Sequence, residues 1–401
     1  MTDTAREVWI TGIGIVSALG DGPAAHWDAL DAGRIVVDTT TFAPYVVHPL
    51  AAVEFERQVG RKHVRQMEPW QRIGTYAAGS ALDDAGLRSD EAVVANADLI
   101  VATGTGERDL PNEDVILAGW SKAADPAAFL NERLMNDLRP RLFLAQLPNL
   151  LAGYISILFG LTGSSRTFIG EESAGLDALR IAVARIASGQ SEVSIVGGAH
   201  NGERKDLFLL YEFGGFNLRG PHVSVWERGP TGAFALGSAG IFVVLEARAH
   251  AERRGASPYA RVSKVLAARG PRRAGSVRAE LRRMWEALRP DVEPGNAAAI
   301  SGATGVEPAT KEELSFLLEE AGVPFRATGT YMGHAMEPQF LLNAAIAALT
   351  AKHGRLFAPA RGEPAEGSSG GAVRQVVVTG VGHCRGEGMA LVEAVTLKGA
   401  G

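Results

Sequence analysis

The stretch VWITGIG, residues 8–14, is the first of five short apolar runs that end in glycine or alanine. The other four runs are LIVATGTG (99–106), VSIVGGA (193–199), AAISGATG (298–305) and VVVTGVG (376–382). Buried parallel strands have this character because helices cover both of their faces. Amphipathic segments between the runs, such as residues 70–87 and 175–188, predict helices that connect these strands. We therefore predict an α/β fold with mainly parallel sheets.

The positions of these runs predict how the chain is divided. They occur at both ends and in the middle, which indicates two similar halves whose sheets pack against each other. We place the N-terminal half at residues 1–250 and the C-terminal half at residues 251–401. One further run, GIFVVLE (240–246), follows a glycine-rich turn and leads directly into a basic helical segment. We expect it to form a strand that pairs antiparallel at a sheet edge.

The composition favours a globular protein and excludes some partners. Of the 401 residues, 46% are hydrophobic and 21% are charged, which is typical of a soluble protein with an ample core. The net charge is −5 and the basic residues are scattered, so nothing forms the basic stripe that a nucleic acid requires. Cys384 is the only cysteine and cannot form an intramolecular disulfide. This favours a reducing, cytoplasmic compartment.

One segment has the length of a membrane span. Residues 142–161 contain no charged side chain, and about twenty apolar residues suffice to cross a bilayer. The segment nevertheless includes Gln146, Pro148 and Asn149, and the mean hydropathy of the chain is only +0.04. We therefore predict a helix buried inside a soluble protein, and neither a membrane segment nor a signal peptide.

The glycines after the first apolar run also raise the possibility of a nucleotide site. A GxG motif that follows a strand can hold a phosphate at a helix N-terminus. However, Gly12 and Gly14 lack a third glycine at the required spacing, and no acidic residue follows at the distance that ribose binding needs. Tight turns explain these glycines adequately. Because the sequence also lacks CxxC and HExxH motifs, we expect no cofactor and no metal.

Several segments resemble the β-ketoacyl-acyl-carrier-protein synthases. VWITGIGIVSALG (8–20) resembles their opening strand and loop, and AAGSALDDAGL (77–87) resembles the helix that follows. LFGLTG (158–163) and GQSEVSIVGGA (189–199) are similar to the segments that flank the family's nucleophile, and residues 225–246 are similar to its central turn and strand. The resemblance covers nearly the whole chain. It implies a thiolase-like fold, with two halves packed in a five-layer αβαβα arrangement and an obligate dimer.

The resemblance implies four polar catalytic positions, of which this sequence retains one. The family's nucleophilic cysteine, which takes the acyl chain as a thioester, corresponds to Glu172 at a buried strand-to-helix turn. The histidine of a His-Gly-Thr segment corresponds to Ser301 or Gly302. In the Lys-x-x-x-Gly-His segment Gly329 replaces the lysine, and His334 is kept. Without the nucleophile, one histidine and the lysine, we expect no condensation by this chain alone.

The run EESAGLDAL (171–179) resembles the chain length factors of type II polyketide synthases, in which glutamine usually occupies the cysteine position. We therefore predict a non-catalytic subunit that forms a heterodimer with a catalytic ketosynthase and meets the acyl carrier protein through that complex. In the family, the segments that match residues 107–120 and 131–150 lie at the dimer interface. We assign the wall of the acyl tunnel to four residues there: Leu110, Asn112, Ile116 and Leu117. Glutamate in place of glutamine leaves the product class open.

Two alternative functions stay open. Glutamine at the nucleophile position is also associated with malonyl decarboxylation in related synthases, so the chain could be a malonyl-carrier-protein decarboxylase. Against this, the carboxylate of Glu172 would repel a malonyl carboxylate. The other alternative is a homodimeric acyl-binding scaffold. In every case a buried carboxylate needs a partner, and we expect a hydrogen bond or ion pair between Glu172 and His334.

Overall fold

The computed structural model describes residues 5–104, 106–137, 146–229, 232–360, 363–367 and 371–396. The strands are β1 Val8–Ser17, β2 Gly20–Asp21, β3 Val47–His48, β4 Asp98–Thr103, β5 Ser165–Ile169, β6 Val193–His200, β7 Leu236–Gly237, β8 Ala239–Ala247, β9 Ala260–Ala268, β10 Ala297–Ser301, β11 Phe325–Ala327, β12 Gln375–Val381 and β13 Glu387–Glu393. The α-helices are α1 Pro23–Asp31, α2 Arg61–Val64, α3 Pro69–Asp84, α4 Glu91–Asn96, α5 Leu110–Trp120, α6 Pro126–Asn136, α7 Leu150–Phe159, α8 Ser173–Ala187, α9 Lys205–Glu212, α10 Arg248–Arg253, α11 Ser276–Leu288, α12 Ala309–Phe316, α13 Gly329–Met332 and α14 Gln339–His353.

Ten of these strands form two sets of five that repeat the same order. The first set runs β5-β4-β6-β8-β1 and the second runs β11-β10-β12-β13-β9. The sets join into one sheet where β1 pairs antiparallel with β9, with Val8 opposite Val262. The division near residue 250 stays a prediction, because β8 ends at Ala247, β9 begins at Ala260, and a continuous sheet crosses between them.

The sheet is mixed rather than mainly parallel. In each set the first three strands pair parallel and the last two pair antiparallel. The predicted strand in residues 240–246 is β8; it is antiparallel to its neighbours as expected, but it lies between β6 and β1 instead of at an edge. The apolar runs could not reveal this, because a strand covered on both faces reads the same in either direction.

Helices complete a layered arrangement around the strands. Helix α3 packs against β1, β6 and β8 on one outer face, and α11 packs against β13 and β9 on the other. Helices α8 and α14 contact each other between the two sets of strands. Residues 339–351 of α14 are all buried. The amphipathic segments that predicted helices are thus confirmed as α3 and α8.

The charge-free segment at residues 142–161 is only partly helical in the described residues. Residues 142–145 lie outside them, and the helix begins at Leu150, after Pro148 and Asn149. Within α7, Leu151 and Ile155 are buried, whereas one side of the helix is exposed. In the described part of the chain, no helix is long and apolar enough to cross a membrane.

Gly12 and Gly14 lie inside strand β1 and not in a turn, so the turn explanation is wrong. A Cβ atom at Gly14 would overlap the backbone carbonyl of Ala77 in α3. One at Gly12 would lie 2.5 Å from the carbonyl oxygen of Ala81. These glycines therefore allow α3 to lie directly on the strand.

This close approach gives a stability test. We expect Gly14→Ala to lower the free energy of unfolding by about 1–3 kcal/mol, because α3 would have to move away from β1. Gly153→Ala is the matched control, since a Cβ atom there meets nothing within 4 Å and alanine favours a helix. Thermal or urea unfolding of both variants measures the difference. Equal stability of the two variants would contradict this account of the packing.

Candidate functional site

Glu172 lies at the turn between β5 and α8, at the carboxyl end of the parallel strands. The chain leaves β5 at Ile169 and passes through Gly170, whose φ of +153° suits glycine. Helix α8 begins at Ser173, directly after Glu172. The Glu172 side chain is buried, with a residue exposure of 7%. The predicted buried position of this residue is therefore confirmed.

Two imidazoles and one backbone amide converge on the same oxygen of Glu172. The Nε2 atom of His334 lies 2.8 Å from Glu172 Oε1, which is the predicted hydrogen bond. The Nδ1 atom of His383 lies 2.8 Å from the same oxygen, and the backbone N–H of His383 donates to it at 3.1 Å. We call Glu172, His334 and His383 the carboxylate–imidazole cluster.

The sequence analysis did not identify His383. It lies in the five-residue turn between β12 and β13, directly after the last of the five glycine-ending runs. The glycine-ending runs predict strands whose ends can carry functional side chains. A histidine directly after the last of these runs was therefore a usable signal. The site therefore holds a second imidazole, at a position that the resemblance did not point to.

The cluster has a defined charge distribution. Burial tends to raise the pKa of the Glu172 carboxyl, but the hydrogen bonds and charges of His334 and His383 outweigh it and hold that pKa well below its usual range. Burial lowers the pKa of His334. For His383 burial also opposes the charge, yet the Glu172 hydrogen bond and the nearby Glu171 raise its pKa. We therefore assign an ionised carboxylate to Glu172, with both imidazoles bound to it.

The other predicted catalytic positions, Ser301 and Gly329, are buried and make structural contacts. The Ser301 hydroxyl donates to Glu313 Oε1 at 2.7 Å and accepts from the backbone N–H of Ala303 at 3.0 Å. Gly329 begins the short helix α13, and a Cβ atom there would lie 3.0 Å from the Ala303 carbonyl oxygen. A lysine at this position would have little room. Of the predicted catalytic positions, only Glu172 and His334 contact each other.

Little space remains around the cluster. A cavity of about 10 Å³ lies beside Glu172 and is lined by Ser173, Leu176, Gly302, Phe340 and others. That is about the volume of one water molecule. A second hollow of about 60 Å³ lies near the ends of β4 and β6 and has a polar lining: His200, Asn201, Arg204, Tyr211 and Glu337. Both are far smaller than the roughly 300 Å³ of a typical small-ligand pocket.

The four predicted tunnel-wall residues all lie on α5, away from these cavities. Ile116 is buried, whereas Leu117 is 61% exposed. The amide of Asn112 donates to Asp109 Oδ2 and to the backbone carbonyl of Asp137, so it fastens α5 to the end of α6. Neither cavity is lined by these residues or by Leu110. Their role toward a partner's tunnel stays a prediction.

The sequence matches a known protein family, and the fold described above agrees with that match. Residues 5–248 match the model of the β-ketoacyl synthase N-terminal domain, so the chain belongs to the β-ketoacyl synthase family. One relative, 3-oxoacyl-[acyl-carrier-protein] synthase 2 of Vibrio harveyi, is 29% identical over 269 residues. This alignment covers 64% of the present chain and 61% of the relative, so the chain spans less than two thirds of that protein's length.

Solved structures confirm the predicted thiolase-like fold. The ishigamide ketosynthase/chain length factor superposes with a TM-score of 0.78 at 21% identity, covering 98% of this chain and 100% of that one. A type II polyketide synthase acyl-carrier protein in complex with its ketosynthase bound to the hexaketide gives a TM-score of 0.72 at 18% identity, covering 97% and 100%. At these identities the likeness establishes the fold.

The cluster predicts a measurable cost when its carboxylate is removed. We expect Glu172→Ala to lower the free energy of unfolding by about 1–3 kcal/mol, because two buried imidazoles and one amide lose their acceptor. Glu286→Ala, at an exposed position on α11, is the control and should change stability by less than about 0.5 kcal/mol. Denaturant unfolding compares them. A Glu172→Ala protein as stable as the control would contradict a structural role for the carboxylate.

Proposed function

We propose that this chain is a non-catalytic ketosynthase-like subunit, a chain length factor, that pairs with a catalytic ketosynthase in type II polyketide or polyene biosynthesis. The observation that carries the proposal is the buried carboxylate of Glu172, bound by His334 and His383, at the residue that we match to the family's nucleophilic cysteine. A carboxylate held in this way cannot accept an acyl chain as a thioester. Among the described residues, the cavity of about 10 Å³ beside Glu172 is far too small for such a chain.

The one thiol in the chain does not replace the missing nucleophile. Cys384 follows His383 in the turn between β12 and β13, and its side chain is exposed. Partial burial and the charges of Glu171 and Glu172 raise the pKa of the Cys384 thiol. Because the thiolate is the reactive form, this environment disfavours attack on an acyl thioester. A cytoplasmic location, which the single cysteine favours, stays a prediction.

Exposed apolar side chains support the pairing with a second subunit. Strand β5 is the last strand of the first set, and its Ile169 is 62% exposed. Phe213, just beyond α9, is 88% exposed, and Ile157 on α7 is 78% exposed. An open strand edge and large exposed apolar residues are features that a partner subunit covers. The relatives in solved complexes with a chain length factor or a carrier protein favour a ketosynthase as that partner.

Malonyl decarboxylation is the second candidate, and one observation favours it. His383 supplies a second imidazole beside Glu172, so two imidazoles lie within hydrogen-bond distance of this carboxylate. Both are directed at the Glu172 carboxylate, however, and this charge would repel the malonyl carboxylate. We therefore keep the non-catalytic subunit as the proposed function.

The pairing can be tested by purification. We expect the chain alone to be poorly soluble or to form a weak homodimer, because the apolar surface around Ile169 and Phe213 is uncovered. Co-expression with a candidate catalytic ketosynthase should yield a heterodimer in gel filtration with mass measurement. Phe213→Glu should weaken this complex, while Leu318→Glu, at an exposed apolar position in the other half, should not. A stable homodimer that ignores the co-expressed ketosynthase would contradict the proposal.

The tunnel-wall prediction can be tested in the same complex. Replacing Leu110, Asn112 or Leu117 with alanine should lengthen the products, and replacing them with tryptophan should shorten them, because a wall limits how many acyl carbons fit. Ile116→Ala belongs to the series but removes a buried side chain, so its complex must first be shown to assemble. Product masses from the reconstituted complex are the readout. Unchanged product length in all assembled variants would refute this wall assignment.

A further inference from the structure

We propose that Glu171, His383 and Cys384 form a binding site for a divalent metal ion of the zinc type, beside the carboxylate–imidazole cluster. One possible ligand atom from each of the three residues lies within 4.8 Å of the other two. A thiolate, an imidazole and a carboxylate together form a donor set that suits Zn²⁺, with a fourth position left for water. This inference does not depend on the proposed function.

The imidazole of His383 is already arranged as in a metal ligand. Its Nδ1 atom is held by the Glu172 carboxylate at 2.8 Å, and Nε2 makes no hydrogen bond with any residue in the described ranges. Metal-binding histidines usually give their second nitrogen to a carboxylate in this way, which fixes the tautomer and the ring orientation. Aromatic rings also hold the buried ring in place, with Phe216 at 5.0 Å and Phe234 at 5.5 Å between centroids.

The other two ligands can move to complete the site. Tetrahedral zinc with bonds of about 2.0–2.3 Å needs its ligand atoms roughly 3.5 Å apart, so the present spacing must close by about 1 Å. Cys384 is exposed and Glu171 is partly exposed, and therefore both side chains have room to rotate. Arg385 is the competing partner of Glu171, but its Nε lies at 3.5 Å from Glu171 Oε2 and its side chain is 56% exposed. A surface ion pair of this kind is weak.

The negative charge of the site matches a divalent cation. A bound Zn²⁺ would meet the Glu171 carboxylate and the Cys384 thiolate, and the Glu172 carboxylate would balance the imidazole from behind. Arg272 also lies near His383, but its guanidinium binds Glu387. Glu172 would thus act as a positioning residue for the metal ligand His383, in addition to closing the old nucleophile position.

Cobalt titration of the full-length chain tests the site. After chelator treatment, we expect one equivalent of Co²⁺ to give tetrahedral d–d absorption together with a thiolate-to-cobalt charge-transfer band, and Zn²⁺ to abolish both. Cys384→Ser should lose the charge-transfer band, and Glu171→Gln should weaken binding. Glu172→Gln should bind roughly 10 to 100 times more weakly, as expected when the carboxylate behind a metal-binding histidine is removed.

His353→Gln is the matched control, because this histidine is exposed and lies outside the cluster. It should bind Co²⁺ as the unmodified chain does. Every variant is checked for folding by circular dichroism before it is titrated. Absence of a cobalt–thiolate band in the unmodified chain, or equal Co²⁺ affinity in Cys384→Ser, would overturn the proposal.

Discussion

The carboxylate of Glu172 has to be satisfied inside the protein, because a buried charge without partners costs several kcal/mol. The structure meets this requirement with His334 from the loop after α13 and His383 from the turn between β12 and β13. Both belong to the second set of strands, whereas Glu172 follows β5 of the first set. The carboxylate–imidazole cluster thus connects the first set of strands to loops of the second set.

The rest of the site follows from how closely the layers pack. A Cβ atom at Gly175 of α8 would overlap the backbone carbonyl of Glu337, so α8 lies directly against the segment that leads into α14. This packing brings His334 beside Glu172 and leaves a cavity of only about 10 Å³. The close packing around the cluster thus leaves space for about one water molecule in the cavity beside Glu172.

The sequence predicted the α/β class, helices α3 and α8, and the contact between Glu172 and His334. It could not predict the mixed direction of the strands, because strands buried on both faces have no directional signature. It also missed His383, which lies 211 residues from Glu172 in sequence and comes beside it only in the folded chain. For Gly12 and Gly14 the sequence showed the residues but not the helix that lies on them.

The account rests on the claim that this chain performs no acyl condensation by itself. The most direct measurement supplies isolated protein with malonyl- and acyl-carrier substrates, for both the natural chain and Glu172→Cys. We predict no condensation product from either, because the cavity beside Glu172 measures only about 10 Å³ and the residue that we match to the family's lysine is Gly329. Condensation product from the isolated Glu172→Cys protein would contradict the non-catalytic account, and carbon dioxide release from malonyl-carrier by the natural chain would favour the decarboxylase.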